Sequence, residues 1–168
     1  LAPEGTAPRV ATDDPRVIRL RTFSKAYGMA GARVGYGIGA PDLIQSFDKI
    51  RNHFGVNRIA QAGALAALQD GDWLSHVQAE VATSRARLSE IAGENGLTAL
   101  PSATNFVTID CGRDGEYARA VLAGMLAQGV FVRMPFVAPQ DRCIRVGCGQ
   151  AEDMEAVAQA LPAALARA

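Results

Sequence analysis

The stretch Arg21–Tyr36, RTFSKAYGMAGARVGY, decides how the rest of the chain is read. Leading into it, Val17–Thr22 (VIRLRT) alternates in character and predicts a short strand. At its far end, Arg33–Gly39 (RVGYGIG) predicts a second strand with Val34, Tyr36 and Ile38 on one face. The glycines of that strand point to a close backbone approach on the other face. Between the two, Phe23–Gly31 is too dense in Gly and Ala for a regular element, and it carries Lys25. Only Lys25 and Lys49 are lysines among 17 basic residues, so any lysine chemistry has two candidates. Phe23, Ala26, Tyr27 and Met29 would strip water from the Lys25 amine. Desolvation lowers an ammonium pKa and yields the neutral nucleophile that a Schiff base requires. A solvated surface amine is the alternative. Arg33 would add a fixed positive charge, and Thr22 and Ser24 add hydroxyls. Those are the charge-assisted and neutral contacts a phosphate needs.

Outward from this stretch, Pro41 is a good first residue for a helix over PDLIQSFDKIR. Asn57 predicts the N-cap of a small-residue helix running to Asp70. Asp72 predicts the cap of a long amphipathic helix, with Leu74, Val77, Val81, Leu88 and Ile91 as its seam. That helix should stop at Asn95-Gly96, with Gly96 left-handed. A strand (Thr104–Asp110), a helix (about Asp114–Gln128) and two strands (Val130–Arg133, Cys143–Cys148) follow. Alternation sends Ile144 and Val146 into the core and leaves Arg145 on the opposite face. A last helix starts near Ala151, and Pro162 should bend or restart it. The long helix reads as a connector between two α/β units, with the boundary near residue 70.

The 168 residues carry 17 basic and 17 acidic side chains, and 49% are hydrophobic. This is globular composition. Zero net charge argues against a dedicated nucleic-acid or anionic-membrane surface. No run reaches the roughly 18 apolar residues of a membrane span. Leu1 begins the sequence, and Pro3, Glu4 and Gly5 break any signal-peptide core, so a piece of a longer protein is expected. Cys111, Cys143 and Cys148 fit no zinc spacing and read as reduced thiols of a cytosolic protein. Gly35-x-Gly37-x-Gly39 lies inside a strand and is not a dinucleotide fingerprint. His53 and His76 carry no ligand pattern, and Trp73 reads as an interdomain packing anchor. No metal cluster or carboxylate pair emerges.

The spacing Thr22-x-Ser24-Lys25, then Arg33-x-Gly35-Tyr36, resembles the pyridoxal-phosphate lysine signature of the class I/II, fold-type I aminotransferases. Within them it is similar to the histidinol-phosphate aminotransferase branch, whose typical wording is SKAYGLAGLRVGY. The likeness continues through the helix after Asn57, through PSATNFVTID, and through GVFVR and IRVGCG, over the second half of such an enzyme. It implies an α/β fold: residues 1–70 as the end of the large cofactor domain, and 71–168 as a small C-terminal α/β domain entered by the long helix. Lys25 is then the lysine that binds pyridoxal 5'-phosphate, with Arg33, Ser24 and Thr22 on the cofactor phosphate. Arg145 is the arginine for the substrate α-carboxylate, against a strand-end surface arginine. Arg133 is the residue for a distal phosphate, against a simple ion pair. Asn105 reads as a backbone bonder.

The activity implied is transamination between an L-amino acid and 2-oxoglutarate, with histidinol phosphate as first candidate. Aromatic transamination or phosphothreonine-type decarboxylation are the alternatives on the same fold. A cytoplasmic homodimer acting on small molecules, without nucleic acid, membrane or metal, is the implied setting. In the family the aspartate on the pyridine nitrogen, the stacking aromatic and a phosphate-binding helix N-terminus lie upstream, so the chain alone is expected to be inactive. The rival class is a non-catalytic α/β binding or assembly module. Lys25 and Arg33 at correct spacing argue against it.

Overall fold

The computed structural model describes residues 2–168. Two compact units divide after Gln78, whereas the sequence places a boundary at 70.

In the first unit, β1 (Ile18–Thr22) and β2 (Gly35–Gly39) pair antiparallel, from Ile18 opposite Gly39 to Thr22 opposite Gly35. The close approach expected of the glycines is real: a Cβ on Gly35 would sit 2.7 Å from the Arg21 carbonyl oxygen. β2 begins later than predicted because Arg33 is left-handed, at φ 54 and ψ 49, and closes a 3-10 turn over Ala30–Ala32. A strand cannot pass through that conformation. The predicted Pro41–Arg51 helix is shorter, α1 (Pro41–Gln45), and tightens into a 3-10 turn over Ser46–Lys49. Ser46 Oγ donates to the Asp42 carbonyl where the helix changes pitch, a side-chain bond that competes with regular helix geometry.

Asn57 caps α2 (Arg58–Gln69) as expected, its Oδ1 accepting from the Ala60 N–H at 2.8 Å. The long helix α3 (Gly71–Glu94) starts ahead of Asp72. Asp70 is the residue that caps it, accepting from the Trp73 N–H at 2.9 Å. This satisfies one of the donors that a helix start leaves unpaired.

In the second unit α3 buries Leu88, Ile91 and Ala92. It ends as predicted, with Gly96 at φ 70 and the Leu97 N–H donating back to the Ala92 carbonyl at 2.9 Å. A three-stranded antiparallel sheet follows, in the order β3 (Thr98–Ala99), β4 (Phe106–Asp110), β5 (Cys143–Gly147). Two residues are too few for an alternation signal, so β3 has no trace in the sequence. α4 (Gly115–Ala127) is capped by Asp114, and α5 (Ala151–Leu165) by a Gln150–Asp153 capping box. Rather than restarting at Pro162, α5 runs through it. Fully buried Leu161 and Ala164 on either side hold that turn in place while Pro162 faces solvent.

Val130–Arg133 is not a strand. It makes a single bridge, between Arg133 and Arg145. Its first residue is spent on closing α4, since the Val130 N–H donates to the Met125 carbonyl. At its far side Pro135 lacks the N–H that a ladder needs. The core is built from alternate sheet residues, Val107, Ile109, Ile144 and Val146, against Val121 and Met125 of α4 and Leu161 of α5. Among the described residues no helix is long and apolar enough to cross a membrane.

Candidate functional site

The first unit holds Lys25 in a loop of short turns, its carbonyl accepting from the Gly28 N–H at 2.9 Å. Phe23, 2% exposed, packs its ring against Tyr27 and Tyr36, with centroids 5.0 and 5.8 Å away. The aromatic neighbours therefore pack on one another, and Lys25 itself is exposed. The desolvation expected of them does not come from this loop.

Thr22, Ser24 and Arg33 are brought together on one open cavity of about 570 Å³, floored by the glycine strand β2. Thr22 Oγ1 accepts from the Ser24 N–H at 3.0 Å, which folds the two hydroxyl residues to the same side. Arg33 Nη1 donates to the Ala30 carbonyl at 2.7 Å, leaving the other guanidinium donors for a ligand. A non-glycine residue held at φ 54 costs backbone energy, and such residues gather at ligand-binding positions. Two hydroxyls and a guanidinium around an open cavity form a donor set for a phosphate dianion. Lys25 follows Ser24 in the chain but is not part of that lining.

In the second unit, alternation along β5 buries Ile144 and Val146 and leaves Arg145 half-buried on the other face, as expected. Arg133 and Arg145 exchange both backbone hydrogen bonds, at 3.1 and 2.6 Å. Directly opposed residues of an antiparallel pair project from the same face. The two arginine side chains thus leave the backbone on one face, and both reach the same cavity. Neither makes an ion pair among the described residues. Like charges directly opposite destabilise a sheet, and an anion reverses the sign. Both arginines line an open cavity of about 820 Å³ together with Phe131, Phe136 and Arg119 of α4. The Arg145 guanidinium carbon lies 4.7 Å from the Phe106 ring centroid, and that of Arg133 lies 5.9 Å from Phe131.

Phe106 and Arg119 were not among the residues singled out from the sequence. The signal for Phe106 is cross-strand register, which exists only once β4 and β5 are paired. Arg119 carries no pattern of its own.

Asp110 and the three cysteines line neither cavity. Asp110 accepts from the Gly112 N–H at 2.8 Å, which chiefly holds its carboxyl below the usual range, and it also pairs with Arg142 at 2.9 Å. Burial pushes the Cys111 thiol up to about 11 and raises Cys143 and Cys148 as well, so all three stay protonated near neutrality. The Asn105 carbonyl accepts from the Cys148 N–H at 2.9 Å, a backbone role. His53 is exposed, and Trp73, about half exposed, lies 5.4 Å from the His76 ring of its own helix. Among the described residues no three His, Cys, Asp or Glu side chains cluster to hold a metal.

A histidinol-phosphate aminotransferase 2 of Ralstonia nicotianae is 40% identical over 154 residues, covering 92% of this chain and 41% of the relative. An aromatic amino acid aminotransferase of Corynebacterium efficiens is 48% identical over 120 residues, covering 71% and 32%. Among solved structures, the histidinol-phosphate aminotransferase of Sinorhizobium meliloti in complex with pyridoxal-5'-phosphate superposes with a TM-score of 0.88 at 53% identity, over 92% of this chain and 42% of that one. The chain thus spans about two fifths of the length of the histidinol-phosphate relatives it matches. Residues 2–161 match the family described as aminotransferase class I and II, and the chain belongs to that family, with the α/β architecture of its fold-type I members.

Proposed function

We propose that these residues form part of an enzyme that transfers an amino group between histidinol phosphate and 2-oxoglutarate, with pyridoxal 5'-phosphate as cofactor. The observation that carries the reading is the arginine couple, Arg133 bridged to Arg145, with no ion pair to either among the described residues. Histidinol phosphate carries a phosphate ester on the carbon position where glutamate carries its α-carboxylate. One couple therefore serves both half-reactions: Arg145 takes either anion through its planar fork, and Arg133 adds the second charge that a phosphate dianion needs.

Thr22, Ser24 and Arg33 fit the cofactor phosphate by donor chemistry. The bound cofactor supplies an electron sink for negative charge developing at the substrate Cα. Lys25 would hold the cofactor covalently; its amine, once free, would take the proton from the substrate Cα as a general base and give it up as a general acid to the cofactor's C4′ carbon. Residues 1–70 then belong to a large cofactor domain and 71–168 to a small domain, in a cytoplasmic homodimer. The 168 residues alone are not expected to turn over, because a carboxylate partner for the pyridine nitrogen has no candidate among the residues singled out in either cavity.

The exposed rings of Phe131 and Phe136 on the arginine cavity favour aromatic amino acids as the second reading. The test is turnover by a full-length protein containing this chain. Histidinol phosphate should exceed phenylalanine in kcat/KM by at least tenfold, and borohydride should trap the cofactor on Lys25 by peptide mass. Preference for phenylalanine selects the second reading, and trapping on Lys49 overturns the site.

A further inference from the structure

Resting on the reading of Arg145 as an anion-binding arginine, we propose that Phe106 is a positioning residue for it: a ring platform that holds the guanidinium flat with its donor edge free for the substrate anion. Phe106 opens β4 opposite Gly147, which places it diagonal to Arg145 on the same sheet face. Glycine directly across means that no cross-strand side chain competes for the ring. The Arg145 guanidinium carbon stands 4.7 Å from its centroid, within cation–π range.

The platform is itself fixed. Ser102 Oγ and Thr104 Oγ1 both donate to the Phe106 carbonyl, at 2.5 and 3.2 Å, and Ser102 Oγ accepts from the Thr104 N–H at 3.1 Å. The next residue, Val107, is buried at 1% exposure and anchors the strand. This gives the run PSATNF a purpose beyond starting a strand.

A guanidinium lying on a ring spends no donor on it, so the in-plane N–H groups stay available for a bidentate contact. The ring face also attracts the charge that Arg133 repels. A long arginine ordered before binding loses less freedom when the anion arrives.

The test compares variants of the full-length enzyme by equilibrium binding of maleate, an unreactive dicarboxylate, and by steady-state kinetics. Phe106→Leu should raise the maleate Kd and the KM for 2-oxoglutarate about 5–10-fold, with kcat within twofold. Phe106→Tyr, which keeps the ring face, should stay within twofold on all three. In an Arg145→Ala background, Phe106→Leu should change the maleate Kd by less than twofold. Equal losses with and without Arg145 would show a packing role and overturn the proposal. So would a Phe106→Leu Kd within twofold of the parent while Arg145→Ala binds at least tenfold more weakly. If Arg145→Ala binds maleate like the parent, the reading of Arg145 fails first and the platform falls with it. Should the leucine variant prove insoluble, Phe106→Met, ringless but similarly apolar, is read against the same thresholds.

Discussion

Removing one charge from the arginine couple should stabilise the fold in the absence of ligand. The perturbation is Arg133→Met, which keeps a long apolar stem over Phe131 and deletes the cation. Arg133 and Arg145 are directly opposed through two backbone bonds, and neither has an acidic partner among the described residues. A like-charged cross-strand pair costs about 0.2–1 kcal/mol. Arg133 is exposed, so screening holds the cost near the lower half of that range at ordinary salt. For a chain of this length 1 kcal/mol corresponds to roughly 2–4 °C. At low ionic strength the variant should therefore melt about 1–2 °C above the parent. The gain should vanish near 1 M NaCl, where the Debye length is about 3 Å. Inorganic phosphate should do the reverse. Against NaCl of matched ionic strength it should stabilise the parent by about 1.4 kcal/mol at ten times its Kd, read as a higher melting temperature, and stabilise Arg133→Met less at the same concentration. The measurements belong in an Arg33→Ala background, which removes the other phosphate donor set. A variant that melts lower than the parent at low salt, or that phosphate stabilises equally, refutes the anion reading of the couple.

Two further outcomes follow from particular residues. Arg33→Gly and Arg33→Ala should weaken pyridoxal-phosphate binding by the same factor, about 10–30-fold for one charge-assisted contact at an exposed site. Because Arg33 sits at φ 54, the glycine variant should nevertheless be about 1 kcal/mol more stable in urea than the alanine variant. Equal stabilities would remove the strain argument, and an unchanged cofactor Kd would remove the ligand role. The Cys111 thiol is raised from 9.0 to about 11 by burial, so the folded state resists ionisation more than the unfolded state does. Its contribution is present in full below about pH 9 and is lost as pH rises toward 11, where the unfolded state has released more protons. Cys111→Ala should flatten the fall in melting temperature between pH 9 and 11, and an unchanged slope would assign that fall to other groups.

What could be read in advance divides along one physical line. Features fixed within a few residues were legible: Asn57 and Gly96 bracket helices through their own side chain or their own φ, and alternation alone put Arg145 on the face away from Ile144 and Val146. Thr22, Ser24 and Arg33 were also legible as a group, because an antiparallel pair with Thr22 opposite Gly35 returns the chain to its starting point. Features set by a distant partner were not. Val130–Arg133 has strand composition, yet its strand is pre-empted by the closure of α4 before it and Pro135 after it. The apolar neighbours of Lys25 suggested a dry amine, but Phe23 finds Tyr27 and Tyr36 instead, and composition cannot say which surface a ring will cover.

The couple of Arg133 and Arg145 belongs to the second kind. Twelve positions separate the two arginines in sequence, and only the bridge between their backbones makes them neighbours. That is why it carries more weight than either residue's match to a motif. A motif says that an arginine stands at a familiar place. Two cations on directly opposed residues, neither ion-paired among the described residues, say that the folded sheet carries a cost which an anionic ligand would offset, and that statement holds for this chain whatever its relatives do.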